Sequence, residues 1–503
     1  MGESLPKNKA IVIGAGFAGL STAASLAQAG YHVTVLEKNE IAGGRARTFS
    51  AQGFTYDMGP SWYWMPDVFE QFFQKFGKTT TDYYDLVRLD PSYQVLYGKG
   101  DTLELPASMA ELEALFDTLE PGSSLKLREF LKQAAYKYEV GINQLVYKPS
   151  RSLTEFVDLK LLVDVMRLDV FQSMAKHVRK FFKHPRLIQL MEFPILFLGA
   201  LPENTPALYS LMNYADMALG TWYPMGGMHK IVEGMVALAQ ELGVEMRLGE
   251  EVQKIDIQDG RITQLTTNKG IYTADVVVGA ADYHHLETQL LPPAYRSYSD
   301  KYWESRVMAP SSLIFYLGVD KKLTGLHHHN LFFDEDFGPH AQEIYTRPAW
   351  PEKPLFYVSV PSKTDTSVAP VGQENVFILI PVAPDLTDTD ETRERYYDMV
   401  MTRLEQITGQ DVRSHVIYKR SYAHQDFIQD YNAFKGNAYG LANTLTQTAV
   451  LKPSLKSKKI KNLFYAGQLT VPGPGVPPSL ISGQVVSAEV VKEFAPQKAS
   501  LTH

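Results

Sequence analysis

The chain has 503 residues, too many for one hydrophobic core, so two or more domains are expected. Its 49 basic and 56 acidic residues leave it mildly acidic, which argues against a nucleic-acid protein. It has no cysteine, which excludes disulfides, thiolate metal sites and cysteine redox chemistry. Met1 to Lys9 carries no apolar signal core, no run of 18 apolar residues predicts a spanning helix, and a cytoplasmic location is expected.

Lys9 to Ile13 is short, apolar and rich in β-branched residues, which predicts a buried parallel strand. Gly14, Gly16 and Gly19 follow with G-x-G-x-x-G spacing, and residues 17–29 read as an Ala/Leu-rich helix stopped by Gly30. The first glycine allows the tight turn, the second lets backbone approach a pyrophosphate, and the third lets helix and strand pack closely. Phe17 and Ala18 then fall at the helix N-terminus, where free N–H groups and the helix dipole favour an anion. A second strand, Tyr31 to Leu36, ends at Glu37 and Lys38, and Glu37 lies 18 residues beyond Gly19. A carboxylate there suits the hydroxyls of an adenosine ribose and repels a 2′-phosphate. The strand, glycines, helix, strand and acid in register predict a dinucleotide site.

Gly43-Gly44-Arg45 comes just after this unit. It resembles the turn near the flavin side of FAD in the glutathione-reductase-like flavoproteins, where Arg45 is a fixed cation for the pyrophosphate or the isoalloxazine. A short strand, Phe54 to Tyr56, leads to Asp57-Met58-Gly59-Pro60-Ser61, which resembles that class's D-x-G-P element.

Residues 107–222 read as mostly helical. Between Asp169 and Glu192 there is no acid, while Lys176, Arg179, Lys180, Lys183 and Arg186 supply five positive charges. On a helix, Phe171, Met174, Val178, Phe181 and Phe182 share one face and most of these cations another, the pattern of a helix lying in a membrane interface. An amphipathic helix packed on its own domain is the alternative. Tyr223 to Met228 precede a predicted helix at 229–242, and strands follow at 244–248, 252–257, 262–267 and 271–280, with a hairpin turn at Asp259-Gly260. His327-His328-His329 has no partner at ligand spacing and reads as a loop of exposed histidines; no metal site is expected. Near the C-terminus, Leu463 to Gly467, Gln468 and Pro472 to Pro478 look like the closing half of a flavin site, with Gly467, Gln468, Val476 and Pro477 as its contacts.

Taken together, Gly14/Gly16/Gly19, Glu37, Gly43 to Arg45, Asp57 to Pro66, Tyr223 to Met228, Tyr431-Asn432, Gly436 to Leu441 and Pro472 to Pro478 resemble the bacterial-type phytoene desaturases, within the carotenoid desaturase and isomerase flavoproteins. The resemblance runs from about residue 8 to 495. It implies an α/β fold: a Rossmann-like FAD domain of the glutathione-reductase/amine-oxidase type, with an inserted mixed sheet-and-helix substrate domain. The expected FAD-domain pieces are 1–105, 223–290 and 456–503; 106–222 is a substrate- and membrane-facing helical region and 291–455 the substrate domain. FAD is the implied cofactor, with Gly59, Pro60, Ser61 and the Val252 backbone beside it. The implied reaction dehydrogenates a long polyene, phytoene or its partly desaturated products towards lycopene, by hydride transfer to flavin. The protein would sit peripherally on a membrane, through residues 170–201, and pass electrons to oxygen or a quinone.

A hydrocarbon offers nothing for a salt bridge, so binding would rest on apolar burial and catalysis on positioning. Asp57 and Arg151 are the candidates for a general base, with structural roles as the alternative. Two positions depart from the common pattern: Gln468 stands where Asp or Glu is frequent, and Lys452-Pro453 where Arg-Pro is frequent. Competing readings are a later-step enzyme such as a 1-hydroxycarotenoid 3,4-desaturase, a flavin amine oxidase, and a prenyl-carrying Rab escort or GDP-dissociation protein.

Overall fold

The computed structural model describes residues 8–152, 155, 169, 172–198, 201–444 and 447–494. A five-stranded parallel sheet runs in the order Leu463–Tyr465, Val276–Gly279, Lys9–Ile13, His32–Leu36, Glu245–Arg247. Three widely separated pieces of chain therefore build one sheet. Its central strands are buried on both faces, which is why they read as β-branched runs without alternation. The helix Phe17–Gln28 covers one face and packs along the last helix, Val476–Glu493. That contact is close: a Cβ on Gly483 would stand 2.4 Å from the Ala18 carbonyl oxygen. Ser21 Oγ also donates to the Leu480 carbonyl at 2.7 Å. The antiparallel pair Val252–Gln258 and Arg261–Thr267 turns at Asp259 and Gly260, both at positive φ as a tight hairpin requires.

A second, seven-stranded sheet runs Val416–Tyr422, Ser311–Val319, Glu374–Val382, Phe356–Ser359, His329–Phe332, Tyr93–Gly98, Asp101–Leu105. All its pairings are antiparallel except that between His329–Phe332 and Tyr93–Gly98. Residues 93–105, inside the 1–105 piece expected for the FAD domain, form a hairpin that hydrogen-bonds into this second sheet. Helices Met109–Leu119, Ser123–Val140, Met174–Phe181 and Pro185–Glu192 form a layer beside it.

Two expectations change here. Met174, Val178 and Phe182 are fully buried, and Phe182 packs on Phe116 and Phe130. The apolar face of that helix therefore faces the protein and not lipid, because the neighbouring helices supply aromatic partners; Phe171 lies outside the described residues. His327 to His329 are also not an exposed loop. His329 opens a strand and is wholly buried, and His328 is 4% exposed. Successive strand residues point to opposite faces, and here both faces are covered. No described helix is long and apolar enough to cross a membrane.

Candidate active site

One cavity of about 440 Å³ runs from the parallel sheet to the second sheet. Gly14, Gly16, Phe17, Ala18, Glu37, Lys38, Gly43, Gly44, Arg45, Gly59, Pro60, Ser61, Val252, Gly467, Gln468, Val476 and Pro477 all line it. Both ends of the chain therefore meet around one space. Gly19 does not line it: a Cβ there would stand 1.9 Å from the Gly14 carbonyl oxygen, so its part is helix packing. Gly16 is different. A Cβ on it would meet nothing nearer than the Gly44 Cα at 4.0 Å. The two glycines face each other across a flat slot at the N-terminus of Phe17–Gln28, whose cap residue, Gly16, offers no side chain. Free N–H groups thus point into a space that only glycine leaves open, which fits a pyrophosphate.

Glu37 is 5% exposed at the end of its strand. Its Oε2 accepts from the Ala15 N–H at 2.7 Å, and its Oε1 from the Asn39 N–H and Nδ2, both at 2.9 Å. The acid is held rigid and still has acceptor capacity towards the cavity.

Arg45 lies along the cavity wall. Its Nη2 donates to the Asn437 carbonyl at 3.1 Å, and its guanidinium sits 5.1 Å from the Tyr431 ring. With the Gln468 amide assigned so that its oxygen faces the guanidinium, that oxygen accepts from Nη1 at 3.1 Å and Nη2 at 2.9 Å. Burial pulls the Arg45 pKa down, with Asp282 opposing. Its Nε is buried and has no partner among the described residues. A buried guanidinium facing a neutral amide keeps its charge available, and its bare Nε fits an anionic cofactor. The departure at Gln468 thereby acquires a physical meaning: an acid there would pair with Arg45.

Neither general-base candidate lines this cavity. Asp57 accepts from the Met228 N–H at 2.7 Å and the His229 N–H at 3.0 Å, pinning the start of helix His229–Glu241. Burial pushes its carboxyl up to about 6, against those two hydrogen bonds. Arg151 forms an ion pair with Glu489 on the last helix. Lys452 is 5% exposed, and its Nζ has no partner among the described residues. It lies beside Asn443 behind the Pro472 to Gly475 loop, where a Cβ on Gly473 would come within 3.3 Å of Nζ.

Sequence reasoning missed much of the lining. Asn39, Glu250, Glu251, Asp282 and His285 join the polar end, next to Glu37 and Arg45. Trp62, Trp64, Met65, Phe193, Leu331, Phe333, Leu355, Tyr357 and Leu379 wall the other end. The one signal for that wall was the aromatic run directly after Ser61. His340 is there too, but its two ring nitrogens are taken by the Pro381 carbonyl and the Leu355 N–H, and burial lowers its pKa to about 4. His329 stacks on Trp62 at 4.2 Å and bonds the Tyr357 hydroxyl at 2.5 Å, which explains its burial. Among the described residues no group of three or more ligand-type side chains is placed to hold a metal. The cavity is thus charged where the dinucleotide motif lies and apolar beyond it.

Residues 17–491 match the family of flavin containing amine oxidoreductases. The chain is 42% identical over 485 residues to the carotenoid 3,4-desaturase of Haloarcula japonica, covering 96% of this chain and 98% of that one. It is 30% identical over 510 residues to the zeta-carotene-forming phytoene desaturase of Myxococcus xanthus, covering 100% and 97%. Among solved structures, an oxidoreductase from Methanosarcina mazei superposes with a TM-score of 0.63 at 18% identity, covering 95% of this chain and 100% of that one. The chain belongs to the flavin containing amine oxidoreductases and, within them, to the carotenoid desaturases, with FAD as its cofactor.

Proposed function

We propose that this chain is an FAD-dependent carotenoid desaturase that dehydrogenates a long polyene, phytoene or its partly desaturated products. The observation that carries the reading is the division of the cavity. Its charged lining (Glu37, Lys38, Arg45, Glu250, Glu251, Asp282 and Asp430) clusters around the glycine turn, and the rest is aromatic and aliphatic. In this reading Gly14, Gly16 and the first turn of Phe17–Gln28 hold the pyrophosphate. Glu37 takes the ribose, Val252 the adenine, Arg45 an anionic part of the cofactor, and Gly59 to Ser61 with Gly467, Gln468, Val476 and Pro477 the flavin end. Bound FAD supplies the two-electron acceptor. The chain's own residues exclude water from the apolar end and lay an allylic C–H along the flavin-side wall, where positioning provides most of the rate.

A second reading, desaturation at a later step, is favoured by one observation: identity is 42% to the 3,4-desaturase and 30% to the phytoene desaturase. Expression in a bacterium making phytoene, and in one making lycopene-derived carotenoids, separates the two by the absorption and mass of the extracted pigments. A lipid-dissolved substrate also calls for membrane contact. We place it over residues 170–201, through the exposed Lys176, Lys180 and Lys183 and not through the buried aromatic face. Co-sedimentation with anionic vesicles tests that placement. Electrons would leave to oxygen or a quinone.

A further inference from the structure

A buried carboxylate stands behind the aromatic wall of the cavity. Asp216, in the helical turn Tyr214–Leu219, is 2% exposed. Tyr93 Oη donates to its Oδ2 at 2.9 Å, and Thr221 Oγ1 donates to its Oδ1 at 3.4 Å. Thr221 in turn accepts from Trp64 Nε1 at 2.8 Å. The chain of bonds therefore runs from a cavity-lining indole through a hydroxyl to the acid, and from the acid to a phenol. Tyr93 meets Trp62 edge-on at 5.4 Å and Phe193 at 5.3 Å, and Trp62 lies 5.3 Å from Trp64. Trp62, Trp64 and Phe193 line the cavity, and Trp62 directly follows the Gly59 to Ser61 turn. The aromatic cluster thus begins where the flavin-side segment ends.

We propose that Asp216 is a positioning residue for polyene oxidation: through Tyr93 and Thr221 it fixes this aromatic cluster and backs it with negative charge where hydride loss leaves the substrate positive. The inference rests on the carotenoid reading above. In that reaction an allylic C–H gives up its hydrogen and two electrons as hydride to FAD. The neighbouring C–H then breaks, its electron pair forms the new C=C, and its proton passes to solvent. Between these events the polyene carries positive charge in an apolar cavity, where an aromatic π-face attracts a cation. A carboxylate accepting from the phenol enriches that ring, and low local dielectric lets its charge be felt through the wall. A hydrocarbon gives the protein no other handle on this charge.

Among the described residues Asp216 forms no ion pair, and its hydrogen bonds come from Tyr93 and Thr221. The elements packed around it carry, among the described residues, Tyr93 and Tyr97 on the strand, Tyr214 on its own turn, and Lys126, Arg128, Glu129, Lys132, Tyr136, Lys137, Tyr138 and Glu139 on helix Ser123–Val140, with Arg88 on strand Leu86–Arg88. Tyr138 donates to Asp67 at 2.7 Å, Lys137 pairs with Asp169 at 2.9 Å beside His177, and Arg88 donates to the Ala107 carbonyl at 2.9 Å. Tyr93 alone among them bonds to Asp216. Burial pushes the carboxyl up to about 7, so its charge varies near neutral pH.

The test is anaerobic mixing of purified, FAD-loaded protein with carotenoid in liposomes, following flavin reduction at saturating substrate. Wild type, Asp216→Asn, Asp216→Glu and Tyr93→Phe are compared, with FAD content and carotenoid binding measured alongside. Asp216→Asn is expected to slow the limiting rate about tenfold or more, with FAD content and carotenoid affinity kept. Tyr93→Phe is expected to fall between it and wild type, and Asp216→Glu to recover part of the rate. The wild-type limiting rate should rise with pH through about 7, and the Asp216→Asn rate should not. An unchanged limiting rate in Asp216→Asn overturns the inference. So does a misfolded Asp216→Asn together with Tyr93→Phe at the wild-type rate and pH profile. A wild-type protein that no carotenoid reduces overturns the carotenoid reading itself, and the inference with it.

Discussion

Glu37 Oε2 accepts a hydrogen bond from the Ala15 N–H at 2.7 Å, tying the end of the second parallel strand to the glycine turn. The acid that sequence reasoning assigned to a ribose is therefore also part of the turn's own structure. Glu37→Ala is expected to weaken FAD by about 1–3 kcal/mol and to destabilise the FAD-free protein by a similar amount, because a buried N–H loses its acceptor. Isothermal titration and thermal unfolding of the stripped protein check both. Weaker FAD with unchanged stability would assign the acid to the ribose alone.

Gly16 and Gly19 separate cofactor binding from folding. Gly16→Val places its side chain in open cavity, so the protein should fold and lose FAD. Gly19→Ala drives a Cβ to within 1.9 Å of the Gly14 carbonyl oxygen, so it should lower the melting temperature or prevent folding. Soluble yellow Gly16→Val with stoichiometric FAD would contradict the slot.

Gln468→Glu should reduce FAD affinity by about tenfold, since a carboxylate beside Arg45 would satisfy the guanidinium that the cofactor otherwise uses. A titration showing equal or tighter FAD binding would place Arg45 outside the cofactor contacts.

Lys452 is a buried amine with no partner among the described residues, and burial brings its pKa down to about 7 from 10.5. The folded state binds fewer protons than the unfolded between those values, so this group's contribution to stability rises with pH from about 7 and its full penalty is present below. Lys452→Met is expected to be more stable than wild type at neutral pH by about 1–4 kcal/mol, with the gap closing as pH approaches 10. Denaturant melts of the FAD-loaded proteins across that range measure the gap. A less stable methionine variant would show that the ammonium has a partner in the loaded enzyme.

The parallel-sheet half was legible because its signals are local: a buried β-branched run, three glycines at fixed spacing and an acid in register all fall within residues 9–37. The substrate half was less so. The hairpin at 93–105 pairs with His329–Phe332, more than 200 residues away, and no local pattern announces that partner. His328 and His329 looked solvent-facing until Trp62, Tyr357 and Thr364 were placed against them. The sequence pattern makes the positive helix two-faced, but only its neighbours Phe116 and Phe130 decide that the apolar face turns inward. Asp57 read as a base candidate because a carboxylate near a flavin segment invites that role, while its work here is to hold two backbone N–H groups.

Carotenoid desaturation by this chain is tested most directly by mixing the oxidised, FAD-loaded protein anaerobically with phytoene, with a lycopene-derived carotenoid and with a simple amine, and recording flavin and polyene absorption together. If the chain desaturates carotenoids, one of them bleaches the oxidised flavin while its own absorption moves to longer wavelength as conjugation extends, with the amine inert. Bleaching by the amine alone, or no bleaching by any polyene delivered in liposomes, would contradict it.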